Sequence, residues 1–366
     1  MENQTVDNSS FFNSSVRVTF PGTALLQQYK CLFILLYCAL VAVACVGNAF
    51  LIGSIMVDRK LHTVTNFFIG NLASADLLMC LACVPPTLSY AFEPRGWLFG
   101  RFLCHLVSLL QSALVYVSVL SLTAIAVDRY VVVAHPVRQR AGRGRCGLVV
   151  ASIWALALAL ASPASARVAY VELEAAGHDV NVCEEFWRGR ETERAAYSCV
   201  VMLASYMVPL SAVSVSYCAI SAHLRRRHLP GVVEQNRLRW NEKKRKTFSL
   251  LVVSVVTFAM CWMPLQILNL LQDLDVDFAI LDTRYLNVAQ VSCHWLAMSS
   301  ACYNPFIYAS LHRKLRLRLG AYLRRWRQPG GFLAGRLSPF HTSISLVSEL
   351  PKAGAPAGSG NTSDPV

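Results

Sequence analysis

Asn304-Pro305-Phe306-Ile307-Tyr308 stands near the end of a mostly apolar stretch that begins near Tyr285. An amide, a proline and a phenol at membrane depth are hard to explain as lipid-facing filler. Proline removes a backbone hydrogen bond, and a polar group in hydrocarbon is costly. Both persist where neighbouring helices or internal water re-satisfy them. The string therefore marks a last spanning helix built to distort, in a chain that crosses the membrane several times.

The composition agrees. The chain is 55% hydrophobic and 15% charged, with a mean hydropathy of +0.42, whereas soluble domains carry about 25% charged residues. Seven apolar runs, each long enough to cross a bilayer (~20 residues), fall at 30–57, 64–92, 101–135, 146–167, 195–224, 245–272 and 285–309. Short loops join them, leaving no room for a soluble domain. The expected fold is all-α, a seven-transmembrane helix bundle over 30–309. Residues 1–29 form an extracellular segment, 310–327 an amphipathic eighth helix on the inner leaflet, and 328–366 a disordered cytoplasmic tail.

Charge sets the orientation. Basic residues crowd Arg59-Lys60, Arg138 to Arg145, Arg225-Arg226-Arg227, Lys243-Lys244-Arg245-Lys246 and Arg313 to Arg327. With seven crossings these lie on one side, which the positive-inside rule makes cytoplasmic. The other side carries Glu172, Glu174, Asp179, Glu184, Glu185, Asp273, Asp275, Asp277 and Asp282, and the amino-terminal sequons at Asn3, Asn8 and Asn13. A fourth sequon, Asn361, is on the cytoplasmic side and is expected to stay unmodified. The chain is thus expected in the plasma membrane, multi-pass, with its amino terminus outside. The polar start shows no cleavable signal peptide. Basic clusters split among membrane-adjacent loops suit anionic lipid and a partner's acidic surface, not nucleic acid.

Of thirteen cysteines, most fall within spans and read as small apolar residues. Cys104 and Cys183 differ, since both face the oxidising side, which suits a bridge between them. Two free thiols are the alternative. No spacing suggests a zinc site. A transporter would show internal repeats and several midplane charges, and only Asp76 lies clearly at depth. A membrane hydrolase would need clustered carboxylates or histidines, so the chain is not expected to be an enzyme.

Asn48, Asp76, Asp128-Arg129-Tyr130, Trp154, Pro209, Cys261-Trp262-Met263-Pro264 and the seventh-helix string occur in order, one set per span. Together they resemble the rhodopsin-like family of G-protein-coupled receptors. The resemblance implies a sodium pocket of Asn48, Asp76, Ser118 and Asn304, the only cofactor-like ion expected. A structural knot without sodium is the alternative. It also implies an activation set of Asp128, Arg129, Tyr130, Tyr217, Phe258, Trp262, Pro264, Asn304, Pro305 and Tyr308, with Pro209, Val119 and Phe258 beneath the toggle Trp262. Arg129 is expected to pair with Asp128 at rest and to turn towards Tyr217 and Tyr308 on opening. Lys243-Lys244-Arg245-Lys246 supplies no acid to hold Arg129 across helices, with Glu242 too far out. A weakly latched resting state follows.

Gln111 occupies the third-helix position that carries an aspartate in aminergic receptors, which disfavours a cationic amine. Tyr90, Gln266, Asn269, Gln290 and His294 add uncharged polarity, below Glu185, Trp187 and Asp273. This layout suits a peptide with arginines for the acidic rim and an amidated aromatic end at depth. Asn66 to Leu72, Tyr90 to Trp97, Cys183 to Trp187 and Cys293 to Ser300 are similar to prolactin-releasing peptide receptors, relatives of the neuropeptide Y receptors. That likeness implies an Arg-Phe-amide ligand, with Asp273 and Glu185 taking arginines and Gln111, Tyr197, Gln290 and Trp187 around its carboxy-terminal end. A neuropeptide Y/F-type receptor is the alternative, and a ligand-independent orphan a further one.

On the inner side, Arg129, Pro136 and the basic third loop are expected to receive the carboxy-terminal helix of a heterotrimeric G protein, of Gq or Gi type. Leu311, Leu315, Leu319, Tyr322 and Trp326 recur at helical spacing between basic residues, which suits a helix lying on membrane lipid. Ser338, Thr342, Ser343, Ser345 and Ser348 are candidate sites for receptor kinases and arrestin recruitment.

Overall fold

The computed structural model describes residues 23–134, 142–175, 178–187, 189–225, 233–274, 282–311 and 320. The sequons, Pro136, Asp275, Asp277, nearly all of the expected eighth helix and the tail sites lie outside these residues. The side chains of Tyr217, Glu242 and the basic stretch after it also lie outside the described set, although their backbone is helical.

Seven long helices carry the chain: Lys30–Val57, Val64–Phe92, Gly100–Ala134, Arg143–Ser165, Glu191–Arg225, Val233–Leu274 and Thr283–Leu311. They are numbered one to seven below. Six qualify as membrane spans on length and apolarity alone. Helix seven is more polar, carrying Asn287, Gln290, His294 and Asn304, and it packs between helices one and six. Helix six starts at Val233, well before the apolar run at 245, so its charged amino-terminal part extends beyond the bilayer.

Helix one shows why these sequences become bundle members. Phe33, Tyr37, Leu40, Ala44, Asn48 and Leu51 recur at three to four residues and are buried, while Leu32, Leu35, Val46 and Met56 stay exposed. Both faces are apolar because both meet apolar surroundings: protein on one side, lipid tails on the other.

Prolines distort the helices, and nearby donors repair them. Pro305 has no N–H to offer the carbonyl four residues back, Ala301, and Asn48 Nδ2 of helix one donates to that oxygen at 3.0 Å. Gly47 makes the approach possible, since a Cβ there would come within 2.9 Å of Pro305 Cγ. In helix four the carbonyl orphaned by Pro163 is Ala159, and the Ser162 hydroxyl donates to it at 2.9 Å. Helix two contains a π turn at Met79–Cys83 just before Pro85 and Pro86. One extra residue in a turn rotates the face beyond it by about 100°, and beyond it Thr87 and Tyr90 face the central cavity.

Among the described residues one hairpin stands outside the helical class, β1 (Val168–Ala175) and β2 (His178–Glu185), antiparallel with Tyr170 opposite Cys183. Cys183 is bridged to Cys104 at the outer end of helix three, with Cα atoms 5.8 Å apart. The turn after helix two docks on β2: Trp97 N–H donates to Asn181 O at 2.8 Å, and Asn181 N–H to Arg95 O at 2.9 Å. Gly96 between them has φ +74°, and a Cβ there would lie 2.1 Å from Asn181 O. Only glycine fits. A short helix, Thr23–Gln28, precedes helix one and packs on helix seven.

Candidate functional site

A cavity of about 420 Å³ opens between the hairpin and the outer ends of helices two, three, five, six and seven. Its residues fall into three levels. Glu184, Glu185, Trp187, Arg194 and Asp273 form the mouth. Thr87, Gln111, Tyr197, Gln266, Asn269 and Gln290 form an uncharged polar wall, and Trp262 closes the floor.

The mouth departs from an open acidic rim. Glu185 is exposed, with one carboxylate oxygen accepting the Trp187 indole N–H at 3.1 Å. Asp273 is buried instead. Its carboxylate pairs with Arg194 Nε at 2.5 Å and accepts the Ser198 hydroxyl. The sequence reading treated Asp273 as free to take a ligand arginine; helix five already supplies one. Arg190, Arg194 and Ser198 recur every four residues on one helical face, a signal that identified no partner across the bundle. Trp187 is buried too, with the Arg167 guanidinium 5.3 Å from its ring centre and the Tyr197 ring at 5.9 Å. Glu184 accepts from Tyr90 at 3.2 Å, and desolvation by the surrounding protein raises its carboxyl above the ordinary carboxylate range.

The polar wall is a connected network. Thr87 donates to Gln111 Oε1 at 3.2 Å, and Gln111 Nε2 lies 3.3 Å from His294 Nε2. His294 Nδ1 lies 2.8 Å from the Tyr37 hydroxyl, which donates to Val291 O at 3.0 Å. The Nδ1–H tautomer of His294, donating to the Tyr37 oxygen and accepting from Gln111 at Nε2, fits both contacts. His294 is therefore not a mouth residue: it lies buried beneath the wall, tied to helix one. Gln290 Nε2 donates to Asn269 at 3.1 Å, which leaves its Oε1 a buried acceptor with no protein partner. A ligand N–H at that point would satisfy it. Tyr197 lines the cavity while its hydroxyl donates to Leu160 O at 3.1 Å, and Gln266 lines it as well.

Below the floor a polar column descends between helices six and seven. Trp262 Nε1 donates to Ser300 at 3.1 Å, and the Phe258 ring stacks beneath it at 5.8 Å. Asn304 Nδ2 donates to Asp76 at 2.8 Å and its Oδ1 accepts from Ser254 at 3.2 Å. Asn48 does not bond Asp76. Both of its N–H groups serve the carbonyls of Ala44 and Ala301, which leaves Oδ1 buried without a protein partner. Ser118 of helix three is buried, and Asp76 accepts from Asn304. Carboxylate, hydroxyl and this orphaned amide oxygen are the hard donors that suit a monovalent cation. At the inner end Arg129 Nη2 pairs with Asp128 at 2.8 Å, and Asp128 also accepts from Thr65 of helix two. Tyr308, beside Asn304 and Pro305, is fully buried. Sequence reasoning missed Arg194, Ser198, Tyr37, Ser254 and Ser300, all of which act through contacts between helices.

Residues 47–308 match the family described as 7 transmembrane receptor (rhodopsin family). The chain is 31% identical over 367 residues to the neuropeptide Y receptor type 2 of Sus scrofa, covering 96% of this chain and 92% of that receptor. It is 34% identical to the substance-K receptor of Homo sapiens, over 90% of this chain and 85% of that one. With the RYamide receptor of Drosophila melanogaster it shares 33% identity, over 82% and 65% respectively.

Proposed function

Because this chain belongs to the rhodopsin family of seven-transmembrane receptors, we propose that it is a plasma-membrane receptor for an amidated peptide ending in Arg-Phe. The ligand is of the prolactin-releasing peptide type, and binding activates a heterotrimeric G protein. The observation that carries this reading is the grading of the cavity, from acids at the mouth to an uncharged polar wall above Trp262. The names of the similar receptors, for neuropeptide Y and RYamide, support a peptide ligand.

The mechanism follows from the same geometry. Ligand arginines engage Glu185 and Asp273 by charge-assisted bonds. The carboxy-terminal amide enters the wall, where its C=O accepts from Gln111 and its NH2 donates to the free Gln290 Oε1. A terminal carboxylate would set like charge density against that acceptor. The aromatic ring presses on Trp262, and the strain passes through Ser300 and Phe258 to Asn304 and Pro305. Arg129 leaves Asp128 for Tyr217 and Tyr308, which opens a cleft for the carboxy-terminal helix of the G protein. Asp76, Asn48, Ser118 and Asn304 would hold a sodium ion that neutralises the buried carboxylate. The amino terminus lies outside, and receptor kinases and arrestin act on the tail.

A panel of amidated peptides ending in Arg-Phe or Arg-Tyr, with free-acid counterparts and calcium and cAMP readouts, tests this reading. Arg-Phe-amides should act at the lowest concentrations and free acids should fail. Preference for Arg-Tyr-amides would establish the alternative, a neuropeptide Y/F-type receptor, which the similar receptors favour.

A further inference from the structure

The acid assigned above to a ligand guanidinium already holds one of the chain's own. We propose that Arg194 is a resident occupant of the Asp273 subsite, a built-in competitor that the ligand's arginine must displace. The proposal rests on the reading of the cavity as a site for an arginine-bearing amidated peptide.

Both oxygens of Asp273 are engaged: Oδ1 by Arg194 Nε at 2.5 Å, Oδ2 by the Ser198 hydroxyl. A guanidinium gains its geometric selectivity by bonding both oxygens of a carboxylate at once. Asp273 is 6% exposed, so an incoming arginine reaches both oxygens only by the approach that Arg194 now fills, and the two cations compete for it. Charge adds to the exclusion, because two guanidinium groups on one acid repel.

Exposure identifies the partner that moves. The Asp273 side chain is 6% exposed and the Arg194 side chain 40% exposed. Asp273 is held near the end of helix six, whereas Arg194 reaches it from the rim on a long flexible stem. A second acid lies at the same mouth, since Arg194 and Glu184 both line the cavity. Displacement therefore transfers Arg194 towards the acids of β2, and no charge is left buried and unpaired. Exposed Glu185 is the acid open to first contact. A ligand without an arginine gains nothing from Asp273, so the exchange makes Arg194 a specificity-determining residue: it sets a threshold that only a well-placed guanidinium passes.

The test uses the full-length receptor and one amidated peptide ending in Arg-Phe, alongside the same peptide with citrulline in place of that arginine. Citrulline keeps the shape and removes the charge. Arg194→Gln should raise potency of the arginine peptide about tenfold and leave the citrulline peptide unchanged, with Arg194→Lys between wild type and Arg194→Gln. An arginine peptide equally or less potent on Arg194→Gln would overturn the proposal. A thermal-unfolding cycle on ligand-free protein runs beside it, comprising Arg194→Gln, Asp273→Asn and the double variant. Coupling between the two sites is expected, and strict additivity would also overturn the proposal. A wild-type receptor that ignores every arginine-bearing amidated peptide would instead sink the reading on which the proposal stands, with the coupling still measured.

Discussion

The two ends of this bundle hold their charged residues differently. At the outer end the ion pair crosses the bundle: Arg194 of helix five meets buried Asp273 of helix six, with Ser198 on the second oxygen. At the inner end Arg129 pairs with its own chain neighbour, Asp128, and the bond that leaves the helix runs from Thr65 of helix two to Asp128. The sequence of helix six carries Lys243-Lys244-Arg245-Lys246 in its amino-terminal part. A cross-helix pair ties two moving parts together and can be exchanged for a ligand. A pair between adjacent residues orients one side chain and does not of itself tie two helices together. Among the described pairs, the outer one thus joins two helices through ionised groups, whereas the inner one reaches a second helix through the Thr65 hydroxyl.

The largest expected effect breaks the outer end alone. Replacing Cys104 and Cys183 by serine frees β2 from helix three, and with it Glu184, Glu185 and the ring of Trp187. Disulfides of this kind stabilise by about 2–4 kcal/mol, and peptide binding should fall at least about a hundredfold (~2.7 kcal/mol). Radioligand binding on cells with surface expression measured in parallel checks this. Retained affinity would mean that the hairpin does not shape the mouth.

A smaller effect concerns the inner end. The weakly latched resting state expected from the sequence predicts signalling without ligand above that of mock-transfected cells, and Lys244→Glu should reduce it about threefold by giving helix six an acid for Arg129 (~0.7 kcal/mol). Cyclic AMP and calcium assays without peptide measure both. Basal signal at the mock level would remove the asymmetry between the two ends.

Between the ends, Asn48→Ala should cost about 1–3 kcal/mol, because the carbonyl freed by Pro305 is left buried without a donor. Thermal unfolding of purified protein reports it, and an unchanged midpoint would show that Asn48 does not repair helix seven. A modest effect is expected of Ser198→Ala, which removes one hydrogen bond from Asp273 and leaves Arg194 in place. Peptide potency should change by less than about fivefold (~1 kcal/mol). A loss as large as that of an Asp273 variant would make the serine, not the arginine, the main restraint.

Much of this was legible in the sequence, and the boundary has a physical cause. Spans are written in one dimension, as apolar run length, so all seven helices were visible, including helix seven despite its polar residues. Pro305 with Asn304 declared a distortion, and Cys104 with Cys183 declared the outer face. Tyr37 and His294 are separated by most of the chain, and nothing local reveals that helices one and seven turn these side chains towards each other. The rotation of helix five that carries Arg194 to Asp273 is hidden in the same way. The π turn escaped because Cys80 to Cys83 reads as ordinary helix until the two prolines beyond it must be accommodated. The hairpin was legible in the alternation of Val171-Glu172-Leu173-Glu174 and Asp179-Val180-Asn181-Val182, a pattern short enough to pass for a charged loop. Asp273 was found as a residue and misjudged as an environment: its charge is in the sequence, and its burial and partner are not.

The most direct measurement is the concentration-response of an amidated Arg-Phe peptide on wild-type receptor and on Asp273→Asn, which is nearly isosteric and removes only the charge. A ligand arginine that takes this acid should lose about a hundredfold in potency (~2.7 kcal/mol), while the citrulline peptide shows no difference between the two receptors. Equal potency of the arginine peptide on both would contradict the account at its centre.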